Sequence, residues 1–82
     1  MRTNAMYALR QIVEYAENEL KADKMWIKRT RVVLFLKNKQ QAAHVAGKAI
    51  LCPNLIVEYN QVGNDHLLSI NVGRLTKFNT GL

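Results

Sequence analysis

The stretch KMWIKRTRVVLFLKNK, from Lys24 to Lys39, makes the strongest demands on the fold of this chain. Six cationic side chains flank its apolar run, Val32 to Leu36, and they are Lys24, Lys28, Arg29, Arg31, Lys37 and Lys39. An extended strand sends alternate side chains to opposite faces, so one strand can serve both a core and an anionic partner. We therefore predict a strand with Thr30, Val32, Leu34 and Leu36 on one face.

The other face of this strand would be basic, with an aromatic ring at its centre. It would carry Arg29, Arg31, Val33, Phe35, Lys37 and Lys39. From Lys24 through Val57 the sequence contains no acidic residue, so no close neighbour in sequence neutralises this charge. Lys and Arg contact phosphates, and aromatic rings stack on single-stranded bases, so the face predicts nucleic-acid binding. In the alternative interpretation, Val33 and Phe35 belong to the core of a strand covered on both faces.

The composition indicates one small domain and predicts an anionic partner. The chain has 82 residues, 49% of them hydrophobic, and a formal net charge of +6. So small a core is often supplemented by oligomerisation, so a homo-oligomer is one expectation. The charge suits nucleic acid, an anionic lipid surface or an acidic protein face. The single cysteine, Cys52, permits no intramolecular disulfide, so the cytoplasm is the expected location.

Two helices are predicted from apolar residues that recur at intervals of three and four. The first follows an N-cap at Thr3 or Asn4, and its inward stripe is Ala5, Leu9, Ile12, Val13, Ala16 and Leu20. The second follows an N-cap at Asn38 and ends near Leu51. Its inward stripe is Ala42, Val45, Ala46, Ala49 and Ile50. Gly47 lowers the stability of this helix, which predicts close approach to a neighbouring element.

Residues 23–30 are predicted to link the first helix to the basic strand. Two more strands follow, at Leu55 to Tyr59 and at His66 to Val72, with a turn around Gly63-Asn64 between them. A short edge strand is predicted from Arg74 to Phe78.

The resulting fold class is α+β, a small single domain over residues 1–82 with the order α-β-α-β-β. It comprises a right-handed βαβ unit and a C-terminal hairpin in a three- to four-stranded mixed sheet. Residues 1–4 and 79–82 are expected to fray. At this coarse level the order resembles Alba-type chromatin and RNA proteins and the C-terminal half of bacterial initiation factor three, which have an additional leading strand. The resemblance implies nucleic-acid binding, but no shared motif assigns functional residues.

The distribution of acidic residues leaves two arrangements open. Four of the six acids follow the middle of the first helix, and they are Glu14, Glu17, Glu19 and Asp23. These acids either lie beside the basic strand and partly balance it, or face away and leave one side of the molecule positive. Trp26 is also open to two interpretations, because it can close one end of the core or stack on a base.

The sequence does not predict an enzyme, a metal site or a cofactor. Its two histidines and one cysteine are widely spaced and match no zinc pattern. Metal-free RNA cleavage would have His44, His66 and Glu58 as its candidates, but nothing in the sequence brings them together. No membrane partner is expected, because no stretch is long enough to cross a bilayer and the first helix carries acids on its polar face.

We therefore expect a basic nucleic-acid-binding protein that contacts the phosphate backbone, with RNA favoured over DNA and without catalysis. The predicted binding residues are Lys24, Trp26, Lys28, Arg29, Arg31, Phe35, Lys37, Lys39, Lys48, Arg74 and Lys77. The alternative is a protein-binding inhibitor or adaptor, of a viral or antitoxin type, that acts on a nucleic-acid enzyme. Its aromatic anchors would be Tyr7, Tyr15, Trp26 and Tyr59.

Overall fold

The first helix begins at a side-chain cap. In the computed structural model, which describes residues 4–73, the side chain of Asn4 accepts hydrogen bonds from the backbone N–H groups of Met6 (2.8 Å) and Tyr7 (3.3 Å). Helix α1 then runs over Ala5–Leu20. Its buried residues are Ala8, Leu9, Ile12, Val13 and Ala16, which confirms the centre of the predicted stripe.

The segment predicted as a link, residues 23–30, is a strand and a turn. Strand β1 (Asp23–Lys28) pairs antiparallel with strand β2 (Arg31–Leu36), with a bulge between Trp26 and Lys28. Arg29 and Thr30 form the turn. The hairpin is hidden in the sequence because its turn contains no Gly, Asn, Asp or Pro, which are the residues that usually mark short turns.

Helix α2 (Lys39–Ile50) begins at the predicted cap, where the Asn38 side chain accepts a 2.8 Å hydrogen bond from the Gln41 backbone N–H. It buries Ala42, Val45 and Ala49, whereas Ile50 is 69% exposed and does not belong to the inward stripe. The prediction for Gly47 is wrong, because a Cβ atom built at this position would meet nothing within 4 Å. This glycine costs the helix about 1 kcal/mol relative to alanine without a packing benefit.

Strands β3 (Leu55–Val62) and β4 (Asp65–Val72) form the predicted C-terminal hairpin, with Gly63 in the turn at a φ of +61°. The strand order is β1-β2-β4-β3, and every neighbouring pair is antiparallel. The α+β class is confirmed, with the order α-β-β-α-β-β.

The predicted mixed sheet is corrected to an antiparallel one. Strands β2 and β3 do run parallel, since each pairs antiparallel with β4, but β4 lies between them. Leu68 and Ile70 of β4 are fully buried, whereas β3 buries only Leu55 among its side chains. The strand with the two fully buried side chains is thus the one in the central position, where neighbours on both sides remove more apolar surface from water.

Both helices pack on the same face of the sheet. The buried strand residues all point to that face, and they are Val32, Leu34, Leu36, Leu55, Leu68 and Ile70. On the opposite face, Val33, Phe35 and Leu67 are half-buried; we call this surface the open sheet face. The strand predicted at 74–78 lies outside the described residues, as do the predicted frayed ends apart from Asn4.

Candidate nucleic-acid interface

Strand β1 places Trp26 at the edge of the sheet, on the side covered by the helices. Trp26 lies opposite Val32 in the β1–β2 pairing, and directly opposed residues of an antiparallel pair share a face. Its side chain is 39% exposed and is not part of the buried core cluster. The core interpretation of Trp26 is therefore not supported, and the ring is accessible to a ligand.

Three cationic side chains line one concavity with this indole. Arg10 comes from α1, Lys28 from the end of β1, and Arg29 from the β1–β2 turn. Local sequence explains the positions of Lys28 and Arg29. These consecutive cations lie at the same end of the strand because a bulge follows Trp26 and a turn follows Lys28. Arg10 reaches the concavity because α1 contacts β1.

The concavity continues as a groove between α1 and β1. Tyr7, 62% exposed, lines this continuation together with Arg10 and Trp26, so two accessible rings lie along one groove. Further along, the groove is lined by Glu14, Glu17 and Lys24. We refer to the whole feature as the α1–β1 groove, with a cationic end (Arg10, Trp26, Lys28, Arg29) and an acidic end (Glu14, Glu17, Lys24).

Both arrangements left open for the acids occur in the groove. Acids lie beside the basic stretch at one end, and acids are absent from the lining of the other end. Glu17 forms an ion pair with Lys24, so the acids of α1 do balance the start of the basic stretch. None of the acidic side chains within residues 4–73 lines the cationic end, where Arg10, Lys28 and Arg29 gather. A polyanion is therefore attracted to one end of the groove and repelled from the other.

Arg31 and Phe35 lie on the open sheet face and do not line this groove, although Arg31 lies directly opposite Lys28 in the β1–β2 pairing. The Arg31 Nε–H donates a 3.2 Å hydrogen bond to the Ser69 hydroxyl on the neighbouring strand. Phe35 is half-buried between Asp23 of β1 and Leu67 of β4 in the strand register. Phe35 thus has no helix over it in the described part of the chain, yet it is not beside the main group of cations.

The remaining predicted cations lie elsewhere. Lys37 and Lys39 follow the opposite end of β2 from Arg29, beyond six rows of the sheet. The Lys48 ammonium of α2 lies 4.5 Å from the ring centre of Tyr15, which is a cation–π arrangement. Arg74 and Lys77 lie outside the described residues.

The three candidates for RNA cleavage are not brought to one surface. The His44 ring packs against Tyr15, with ring centres 5.7 Å apart, and His66 Nδ1 lies 2.7 Å from the hydroxyl of Tyr59. Glu58 pairs with Ser69 and lies on the open sheet face, whereas His66 shares the helix-covered face with Leu36. Between residues 4 and 73 no three His, Cys, Asp or Glu side chains cluster as metal ligands.

Sequence reasoning missed two residues of the groove. Arg10 is not among the binding residues predicted from the sequence, and Tyr7 is named there only as a protein-binding anchor. Both occupy exposed positions of α1 on one side of the helix, three residues apart, and this spacing was the available signal. Which strand that side of α1 faces depends on tertiary packing and is not encoded in the spacing.

No helix in the described range is long and apolar enough to cross a membrane.

The molecule presents a groove with two accessible rings and with three cations at one end, on a small α+β scaffold. Comparison with protein-family models, with curated proteins and with solved structures finds no match to this chain.

Proposed function

We propose that this protein binds single-stranded nucleic acid, RNA in preference to DNA, in the α1–β1 groove and without catalysis. The observation that carries the proposal is the cationic end, where two separate parts of the chain, helix α1 and the end of β1 with its turn, place Arg10, Lys28 and Arg29 around the accessible ring of Trp26. Phosphates would bind the three cations and a base would stack on the indole.

The phosphate contacts follow from the charges and their exposure. Arg10, Lys28 and Arg29 are all exposed, and the one ion pair among residues 4–73 involves Lys24 and Glu17 instead. When cations without a carboxylate partner bind phosphates, they displace the counterions held by the nucleic acid. The release of these counterions drives association. Arginine adds bidentate geometry toward a phosphate, which Lys28 does not supply.

Base stacking follows from the two rings. Trp26 and Tyr7 line the same groove and keep 39% and 62% of their surface exposed. An unpaired base offers its π-face to such a ring, whereas a paired base in a duplex is stacked on its neighbours. The rings therefore favour single strands, and RNA loops are the common source of unstacked bases in cells.

The acidic end limits the length of the binding site. Glu14 and Glu17 repel a phosphate backbone that continues along the groove, so the strand must leave near Tyr7. We infer a short site for one to two stacked bases and about three phosphates, set by the two rings and three cations of the groove. The single cysteine is compatible with a reducing compartment, so the proposed location is the cytoplasm.

The number of phosphate contacts is the quantity to measure. We expect the logarithm of the association constant for single-stranded RNA to fall with the logarithm of salt concentration with a slope of about −2, because three contacts contribute about −0.7 each. If all the cations predicted from the sequence took part, the slope would be near −6. Fluorescence anisotropy of a labelled oligonucleotide over a salt series gives this slope.

The same series should include single-stranded DNA and a duplex of equal length. Weaker binding to the duplex supports the stacking contacts, and weaker binding to DNA supports the preference for RNA. A slope near −6 would contradict the groove, since it requires cations from several surfaces. Absence of binding at low salt would reject nucleic-acid binding and favour the protein-binding inhibitor or adaptor.

A further inference from the structure

Trp26 and Arg10 lie where the cationic end of the α1–β1 groove meets the rest of the groove. Both line the concavity that holds Lys28 and Arg29, and both also line the continuation that holds Glu14. A base stacked on the Trp26 ring therefore has cations on one side and the continuation on the other. Phosphates bound by the cations keep the sugar of that nucleotide on the cationic side. The opposite edge of the base then points along the groove.

Two polar side chains of α1 meet that edge of the base. Gln11 is adjacent to Arg10 in sequence, Glu14 comes one helical turn after Arg10, and both line the groove with Trp26. Gln11 and Glu14 are three residues apart, so they lie on one side of the helix with their Cβ atoms about 5–6 Å apart. Both are exposed and accessible to a ligand. The base edge thus meets an amide and a carboxylate together.

The two acids of the groove differ in their partners. Glu17 forms an ion pair with Lys24, whereas Glu14 has no ion-pair partner within residues 4–73. An ionised carboxylate only accepts hydrogen bonds, and it offers two oxygens for this purpose. Glu14 therefore attracts neighbouring N–H donors and repels phosphates and carbonyl oxygens.

Guanine is the RNA base that matches such an acceptor. Its Watson–Crick edge presents two adjacent donors, N1–H and the N2 amine, which can donate in parallel to one carboxylate, as the guanidinium of arginine does. The amines of adenine and cytosine each lie beside a ring nitrogen that accepts, and the single N–H of uracil lies between two carbonyls. On those three bases a carboxylate faces at least one acceptor. The O6 acceptor of guanine, next to N1–H, suits the amide N–H of Gln11.

We propose that the base stacked on Trp26 is guanine, with Glu14 accepting hydrogen bonds from N1–H and the N2 amine and Gln11 donating to O6. This preference rests on the proposed binding of single-stranded RNA in the groove and adds base recognition at one position of the strand. The carboxylate that repels the phosphate backbone is the group that holds the base. A guanine paired in a duplex has this edge occupied and is not a ligand.

Strands that carry a single guanosine test the preference. A short oligouridine is compared with the same strand carrying one central guanosine, adenosine, cytidine or inosine, by competition against one labelled RNA. One guanosine per strand prevents four-stranded guanine structures, and adenosine controls for the stronger stacking of a purine. We expect the guanosine strand to bind at least about 5-fold more tightly than the adenosine, cytidine and uridine strands, as for a bidentate base contact. Inosine keeps N1–H but lacks the N2 amine, so its strand should bind with an affinity between those of the guanosine and uridine strands.

Glu14→Gln tests the carboxylate, because it keeps the size of the side chain and replaces one acceptor oxygen with a donor amide. The variant should bind the guanosine and adenosine strands within about 2-fold of each other, since it no longer accepts two parallel N–H bonds. Its affinity for the uridine strand should not fall, because the substitution removes a charge that repels phosphates. A merely structural role of Glu14 would instead weaken binding to all strands equally. The matched control is Glu19→Gln, at an exposed position of α1 that does not line the groove, and it should keep the preference.

The outcomes separate this preference from the binding on which it rests. Equal affinities of the parent protein for the guanosine and adenosine strands overturn the guanine proposal and leave RNA binding in the groove standing. A guanosine preference that persists in Glu14→Gln, or that is lost equally in Glu19→Gln, overturns it as well. Absence of binding to every strand at low salt rejects RNA binding itself, and the base preference with it.

Discussion

Reversing the charges of Lys28 and Arg29 (K28E/R29E) is expected to weaken the binding of single-stranded RNA by roughly 100-fold or more at low salt. Each contact between a charged donor and a phosphate contributes about 1.5–3 kcal/mol, and the double variant removes two of three such contacts. The salt slope should become shallower as the affinity falls, from about −2 to about −0.7, because one phosphate contact remains at Arg10. Anisotropy titrations over a salt series measure both quantities.

A matched control separates the groove from net charge. Lys37→Glu with Lys39→Glu makes the same change in net charge at the opposite end of β2, which is about 20 Å away along the strand. At 0.1 M salt this separation is about two Debye lengths, so the control should lose less than about 3-fold in affinity. Equal losses in the two double variants would mean that RNA responds to total charge and that the groove is not the site.

Removal of the indole in Trp26→Ala is expected to weaken RNA binding by about 5- to 150-fold, which corresponds to the roughly 1–3 kcal/mol of one base–aromatic stack. Unlike the loss from charge reversal, this loss should be nearly independent of salt, because stacking releases no counterions. Trp26→Phe should recover part of the affinity, since a smaller ring still offers a π-face. Titrations at two salt concentrations distinguish the two kinds of contact.

Tyr59→Ala is the matched control for this variant. Tyr59 is 41% exposed, close to the 39% of Trp26, but lies on β3 at the opposite edge of the sheet. Its removal should leave RNA affinity unchanged. Thermal unfolding of Trp26→Ala should remain near the parent because the ring is outside the core cluster. A Trp26→Ala variant that binds RNA like the parent would show that Trp26 does not stack on the RNA.

The sequence predicted those parts of the fold that depend on local chemistry. The side chains of Asn4 and Asn38 cap the two helices as expected, and the alternation along β2 buries Val32, Leu34 and Leu36. The β1–β2 hairpin was missed because its Arg29-Thr30 turn contains none of the usual turn residues. The insertion of β4 between β2 and β3 was missed because strand order is decided by competition among apolar faces across the whole chain.

The candidate site was predicted only in part, for a similar reason. Lys28, Arg29 and Trp26 lie close together in sequence, so a local pattern identified them. Arg10 joins them only because α1 packs against β1 in the folded chain, which no local pattern contains. Phe35 was grouped with the cations by strand alternation, but it lies four residues along β2 from Arg31, the partner of Lys28, and does not line the groove.

The most direct measurement uses the single tryptophan of the chain as its own probe. Trp26 fluorescence should be followed while unlabelled single-stranded RNA is added, beside anisotropy of the labelled RNA under the same conditions. A base stacked on the indole changes its emission, so we predict saturable quenching with the same dissociation constant as the anisotropy. RNA binding by anisotropy that leaves the Trp26 emission unchanged would contradict binding in the α1–β1 groove.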